Sequence, residues 1–149
     1  MAAERYTFDT NILFYSLDSH DPDKHSRARR LIGLADAQRV PILLQTLGEL
    51  TNVVTKRHPR LLPNAERFLQ ITSVMFAIVP AEIDDIFNAL LVHQQHNLQF
   101  WDAVLWATAR RAGCATLLTE DMQGGRTLGG VTILNPFKMS SEDFDAFLS

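Results

Sequence analysis

Residues 5–13 read Arg5-Tyr6-Thr7-Phe8-Asp9-Thr10-Asn11-Ile12-Leu13. Arg5 to Phe8 has the character of a short strand, Asp9 ends it, and a helix begins near Thr10 or Asn11. The same strand-then-helix rhythm runs outward through the chain. Asp21-Pro22 opens a helix with Asp as cap and Pro at the first helical position, and Ala28, Leu31, Ile32 and Ala35 form its apolar stripe. Pro41 to Leu44 is an all-apolar run, followed from Thr46 by Leu47, Leu50, Val53 and Val54 at helical spacing. Pro63 opens another helix through Phe68, Leu69 and Ser73. Val74 to Val79 reads as a buried strand, and Ile83, Ile86, Phe87, Leu90 and Leu91 as one face of a long helix. Trp101 to Arg111 is helical with Ala103, Val104 and Ala107 inward, and Gly113 stops it. Ala115–Leu118 and Val131–Leu134 read as strands, and Ser140-Ser141-Glu142-Asp143 as the cap of a small C-terminal helix.

Short apolar strands alternating with helices predict a parallel sheet, because parallel strands need crossovers and uniformly apolar strands are buried on both faces. The expected architecture is a three-layer α/β/α sandwich with a parallel sheet of about five strands. No repeat, low-complexity tract or linker divides the 149 residues, so residues 1–149 are expected to form one domain. A chain of this length builds a full core without disulfides or a structural metal. The single cysteine, Cys114, excludes a disulfide framework and a Cys-rich zinc site, and its apolar surroundings predict a buried, inert thiol. The N-terminus lacks a basic leader and an apolar core, with Glu4 and Asp9 where one would lie, and no run approaches the length of a membrane span. The expectation is a cytoplasmic protein with no membrane association.

Net charge is −3, which argues against global attraction to nucleic acid, yet the 14 basic residues are unevenly spread. Lys24, Arg27, Arg29 and Arg30 form one cluster, and Lys56, Arg57 and Arg60 another. The acids follow the topology. In open α/β sheets ligands gather at the carboxyl ends of the strands, where strand order reverses. Asp9 ends the first strand, Asp121 lies beyond the fourth, Glu49 is placed in the first turn of the helix after the second, and Asp102 in the first turn of the helix before the fourth. Each has a local alternative. Thr46-x-x-Glu49 matches a capping box, Asp102 complements a helix dipole, and Asp9 and Asp121 suit loop starts. Four carboxylates at one edge of a sheet repel one another unless a cation lies between them. With no His or Cys among them, they suit Mg²⁺ or Mn²⁺, hard ions that bind substrate phosphates. Such an ion points to phosphodiester or phosphoryl chemistry.

At these positions the sequence resembles a known family. Thr7-Phe8-Asp9-Thr10-Asn11-Ile12-Leu13, Leu47-Gly48-Glu49-Leu50, Phe100-Trp101-Asp102-Ala103 and Leu117-Leu118-Thr119-Glu120-Asp121-Met122 are similar, in order and across nearly the whole chain, to the four acidic motifs of PIN-domain ribonucleases, and in particular of VapC-type toxins of bacterial toxin–antitoxin pairs. Asp18 to His25, the turn Arg111-Ala112-Gly113-Cys114 and the closing Asn135-Pro136-Phe137 resemble the same subgroup. The resemblance implies a Mg²⁺- or Mn²⁺-dependent endoribonuclease with Asp9, Glu49, Asp102 and Asp121 as catalytic, metal-holding acids. It also implies Asn11 and Thr119 as supporting residues that hold metal water or orient the acids, with Glu120 as a further supporting position. It implies products with 5′-phosphate and 3′-hydroxyl ends, a homodimer, and a cognate antitoxin protein whose Arg pairs with the site acids in competition with the cation. The alternatives are an RNA-processing enzyme of the same kind without a toxin role, and a metal-dependent phosphatase of another α/β family. The aspartyl phosphatases want a second Asp two residues after the first, where this chain has Asn11.

An acidic site needs cations to hold RNA, and Lys24, Arg27 and Arg30, with Lys56 and Arg57, are the candidate rim. The stripe Ile83, Phe87, Leu90 and Leu91, together with the helix containing Trp106, offers candidate surface for a second copy or a partner. His93 and His96 are read as a solvated face, Gly124-Gly125-Arg126 and Gly129-Gly130 as turns, and Phe100, Trp101 and Trp106 as core.

Overall fold

The computed structural model describes residues 5–35 and 39–149, so Glu4 lies outside the described residues. The chain runs β1 (Tyr6–Phe8), α1 (Thr10–Leu17), α2 (Pro22–Ala35), β2 (Ile42–Leu43), α3 (Leu44–Arg57), a 3₁₀ turn (Pro59–Leu61), and α4 (Leu62–Met75). It continues through β3 (Ile78–Val79), α5 (Ile83–His96), α6 (Phe100–Arg111), β4 (Thr116–Leu118), β5 (Thr127–Leu128), β6 (Val131–Leu134) and α7 (Ser141–Leu148). Two hydrogen-bonded sheets result, one ordered β1-β4-β6-β5 and the other pairing β2 with β3. β1 with β4, β4 with β6, and β2 with β3 are parallel; among the described strands only β5 runs antiparallel, to β6. β2 lies beside β1, where the buried Thr7 hydroxyl donates to the Pro41 carbonyl at 2.7 Å. The chain therefore leaves β1 toward β2 and later returns to β4 on the other edge, which places a topological switch at β1.

Successive strand residues point to opposite faces, and this divides the core in two. Tyr6, Phe8 and Leu118 pack with α1, α2, α3 and α7. Leu117, Val131 and Ile133 pack with α5 and α6 on the opposite face. The result is the expected three-layer arrangement. In α6 every residue from Ala103 to Ala109 is buried, and its alanines let the helix lie close to the sheet.

Three expectations need correction. Val74 to Val79 is not one buried strand. Val74 and Met75 end α4, Val74 is 85% exposed, and only Ile78–Val79 pair, half-buried, against β2. A continuous apolar run does not by itself distinguish a helix end from a strand. The glycines Gly129 and Gly130 are indeed a turn, but one that closes a hairpin between β5 and β6, a strand pair that the parallel pattern did not anticipate. Both residues have positive φ, +55° and +83°, as a tight hairpin turn requires. A Cβ on Gly129 would stand 2.8 Å from the Trp106 ring, so glycine also lets the turn lie against α6. Trp101 is not core: it is 57% exposed, whereas Trp106 is buried and donates from Nε1 to the Leu128 carbonyl at 2.9 Å. Ser140 caps α7 through the Asp143 N–H, and Cys114 is buried, which pushes its thiol up to about 11 and leaves it unreactive. No described helix is long and apolar enough to cross a membrane.

Candidate active site

Asp9 sits one residue beyond β1. Its own N–H donates to the Leu118 carbonyl at 2.8 Å, which continues the β1–β4 ladder by one step. Its side chain then caps α1, with Oδ1 accepting from the Thr10 N–H at 2.7 Å. The matching position of β4 is Thr119, whose hydroxyl donates to Asp9 Oδ2 at 2.8 Å. Both carboxylate oxygens of Asp9 are thus oriented by the ends of two adjacent parallel strands.

Thr119 and Asn11 carry that order to Asp121. The Thr119 hydroxyl accepts from the Asp121 N–H at 3.1 Å, and Asn11 Nδ2 donates to Asp121 Oδ2 at 2.9 Å. The Asn11 carbonyl oxygen accepts from the Glu120 N–H at 3.3 Å, so one amide holds the loop after β4 by both ends. On the facing helix, Glu49 Oε2 accepts from the Thr10 hydroxyl at 2.7 Å and Oε1 from Gln45 Nε2 at 2.9 Å. Gln45 Nε2 also donates to the Trp101 carbonyl at 3.1 Å, which ties α3 to the first turn of α6, where Asp102 stands.

The capping-box reading of Glu49 does not hold. α3 starts at Leu44, so Thr46 is inside the helix and its hydroxyl donates back to the Leu43 carbonyl, while Glu49 lies in the second turn and bonds Thr10 and Gln45. Gln45 and Thr10 are positioning residues to which the motif reading gave no role. Gln45 was visible as the residue four before Glu49 on one helix face.

Asp9, Glu49, Asp102 and Asp121 all line one cavity of about 360 Å³, with Thr10, Asn11, Phe14, Tyr15, Asn52 and Val53 completing its wall. No Lys or Arg lines it. Burial pushes the Asp9 carboxyl up to about 6; the bonds from Thr119 and Thr10 oppose this, and the charges of Asp102 and Glu49 add to it. Asp102 is likewise raised, by burial first and then by Glu49 and Asp121. Among the described residues no three His, Cys, Asp or Glu side chains form a ready-made ligand cage. Mg²⁺ does not need one, since it keeps several waters and takes one or two carboxylates. Four mutually repelling carboxylates, oxygen donors only, fit such a hard divalent ion and no softer one.

The other expected site residues fall elsewhere. Glu120 points away from the cavity: its carboxylate accepts from the Tyr15 hydroxyl and pairs with Lys24 Nζ at 2.9 Å. That contact also removes Lys24 from the free cationic rim. Arg27 is mostly buried and donates to the carbonyls of Pro136 and Met139 at 2.8 Å each, and Arg30 pairs with Asp145 at 2.9 Å. Both guanidiniums lie over the Phe144 ring, so this cluster holds the C-terminal segment in place. Lys56 and Arg57, in the last turn of α3, are exposed and make no ion pair among the described residues. His93 and His96 are both exposed, as expected of a solvated face, and His93 Nδ1 lies 2.6 Å from the Leu98 carbonyl at the end of α5.

Comparison with known proteins agrees with this geometry. The model of the PIN domain family matches residues 6–123. No curated relative matches the sequence significantly. Among solved structures the chain is similar to a toxin–antitoxin complex from Klebsiella pneumoniae (22% identity, covering 85% of this chain and 95% of that one, TM-score 0.59). It is also similar to FitAcB from Neisseria gonorrhoeae (19% identity, 90% and 99% covered, TM-score 0.66) and to the sarcin–ricin loop cleaving toxin VapC20 of Mycobacterium tuberculosis (21% identity, 75% and 86% covered, TM-score 0.56). These likenesses show the fold, and the family match covers every segment that contributes an acid to the cavity: the chain belongs to the PIN domain family.

Proposed function

We propose that this protein is a Mg²⁺- or Mn²⁺-dependent endoribonuclease, the toxin of a toxin–antitoxin pair, with residues 1–149 forming one nuclease domain that acts in the cytoplasm. The observation that carries the reading is the convergence of Asp9, Glu49, Asp102 and Asp121 on one cavity free of basic side chains, with Asp9 raised partly by the charges of Asp102 and Glu49, and Asp102 by those of Glu49 and Asp121. Asp9, Glu49 and Asp102 would hold the principal ion, and Asp121 would complete the site or hold a second. When bound, a divalent ion supplies a hydroxide-like water at neutral pH and neutralises charge developing on the phosphate. The chain's own part is orientation. Thr10 and Thr119 fix the two oxygens of Asp9, Gln45 and Thr10 fix those of Glu49, and Asn11 fixes Asp121, so little rearrangement is needed when substrate arrives.

Purified protein should cleave single-stranded RNA only with added Mg²⁺ or Mn²⁺, stop on chelation by EDTA, and leave 5′-phosphate ends detectable by ligation sequencing. Metal-independent cleavage, or none with either ion, would overturn the assignment. Expression should arrest growth, relieved by a cognate antitoxin whose Arg takes the place of the cation; harmless expression of an active enzyme would favour an RNA-processing role.

The RNA rim lies along α3. Lys56 is seven residues after Glu49, with Asn52 and Val53 between them on the same face, so a strand leaving the cavity along this helix meets it after two turns. Replacing Lys56 and Arg57 by Gln should weaken RNA binding and reduce the slope of log affinity against log salt by about 1 to 1.5, given ~0.7 per phosphate contact on single strands. An unchanged slope would exclude this segment.

A homodimer is supported by α5, where Ile83, Phe87, Leu90 and Leu91 are each about half exposed or more along one stripe. The helix carrying Trp106 does not share in that surface, because it is internal. Light scattering at micromolar concentration should give twice the chain mass of 16.8 kDa, and a monodisperse monomer would refute the dimer.

A further inference from the structure

The cavity has two chemically different ends. α1 presents Asn11 near the acids and, three and four residues on, Phe14 and Tyr15; α3 presents Glu49 and, three and four residues on, Asn52 and Val53. On each helix one turn, about 5.4 Å, separates an acidic layer from an aromatic and apolar one. Carboxylates with a bound cation suit a phosphate. An aromatic wall beside a free carboxamide does not, and the metal reading gives it no task.

We propose that Phe14, Asn52 and Val53 form a nucleobase subsite, in which the base of a nucleotide adjoining the scissile phosphate packs against Phe14 and Val53 and has its edge read by the Asn52 amide. The inference rests on the ribonuclease reading of the same cavity. Three features support it. Phe14 is half-buried, and the His58 ring packs on it with centroids 4.8 Å apart, so the ring is held in place before any ligand arrives. Tyr15, next to it, has its hydroxyl committed to Glu120 and Lys24, which keeps the second aromatic wall rigid and leaves no hydroxyl to mimic a base edge. Asn52 is exposed, and among the described residues its side-chain amide has no hydrogen-bond partner, although it lies on the wall between Glu49 and Lys56. An amide offers one acceptor and two donors, the combination that pairs with a base edge. Unstacked bases of single-stranded RNA are recognised by aromatic packing together with such edge contacts.

The test uses the full-length protein and a pool of single-stranded RNA randomised around the cut, with 5′ ends sequenced. KM is measured on the preferred oligonucleotide and on the same oligonucleotide abasic at the flanking position. Asn52→Ala should flatten the base preference at one position next to the cut. Phe14→Leu, which keeps an apolar side chain in the core, should raise KM about tenfold on the normal oligonucleotide and leave it nearly unchanged on the abasic one, since loss of a stacked aromatic is worth roughly fivefold to a hundredfold. Thermal denaturation of both variants separates a folding defect from a contact defect, and Asn52→Ala, at an exposed position, keeps the test decisive if Phe14→Leu unfolds. Wild-type cleavage with base profile and KM unchanged in both variants would overturn the subsite alone. Absence of any RNA cleavage or Mn²⁺-dependent RNA binding by the wild type would overturn the ribonuclease reading and the subsite with it.

Discussion

Asp9→Asn is expected to lower RNA cleavage at saturating Mg²⁺ by about a thousandfold or more, in line with losing a charged group that positions and activates at the reacting phosphate, without unfolding the protein. Asn keeps the size of Asp and its Oδ1 can still accept the Thr10 N–H that caps α1. Its amide nitrogen then faces the Thr119 hydroxyl, which must turn to find another acceptor, a change worth about 1 kcal/mol. Against this, the variant removes a buried charge. Burial pushes the folded carboxyl up to about 6, from an ordinary value of 3.8, so the native state holds its proton more tightly than the unfolded one. Metal-free wild-type protein therefore gains stability from Asp9 as pH falls through 6, and loses it as pH rises from about 4 to 6, with an effect on the order of 2–3 kcal/mol. Chemical denaturation of the metal-free protein at pH 5 and pH 7.5 should show roughly half of this difference, on the order of 1.4 kcal/mol, and Asp9→Asn should reduce it. Added Mg²⁺ should restore stability at pH 7.5 to the wild type and not to the variant, because only a ligand of the native state shifts the equilibrium. Near wild-type cleavage by Asp9→Asn would remove Asp9 from the site.

Arg111→Met is expected to cost about 3 kcal/mol of stability, the lower end for stranding a buried charge, and to leave the chemistry of the acids untouched. Asp85 is 1% exposed and is the third residue of α5. It closes a capping box with Glu82, accepting from the Glu82 N–H at 2.9 Å, and takes Arg111 Nε at 3.1 and 3.0 Å on its two oxygens. Arg111 also donates to the Pro80 carbonyl, so one side chain at the end of α6 holds the start of α5. Its guanidinium is about one-third exposed, which keeps the expected cost from rising higher. At roughly 2–4 °C per kcal/mol for a chain of this size, Tm should fall by about 6–12 °C. Adding Asp85→Asn should recover part of the loss, since the stranded charge is then gone. A Tm change under about 2 °C would show that Asp85 finds other partners. Asp102 stands at the opposite end of α6, so cleavage measured well below the transition should match the wild type.

Local pattern alone determined the strand–helix alternation, the parallel class, the helix starts at Pro22 and Ser141, and the end of α6 before Gly113. It also placed four acids near strand ends. These features depend on spacings of two to four residues, which a chain carries whatever its neighbours do. Tertiary structure decided the rest. It drew Glu49 out of a capping role and onto Thr10, 39 residues away, and it matched Lys24 with Glu120 and Arg30 with Asp145, more than 90 residues off. Which cation meets which anion depends on helices that pack only once the sheet is complete, so two clusters that look alike in sequence separated into a structural one at Lys24–Arg30 and a free one at Lys56–Arg57. The same holds for β5, whose two residues become a strand only because β6 offers an edge and Gly129 lets the hairpin lie on Trp106. The cavity, with acids at one end and Phe14 and Asn52 at the other, exists only where α1 and α3 pack face to face at the switch beside β1. The two helices carry its walls, while the end of β1, α6 and the loop after β4 add Asp9, Asp102 and Asp121, and no one element is a site alone.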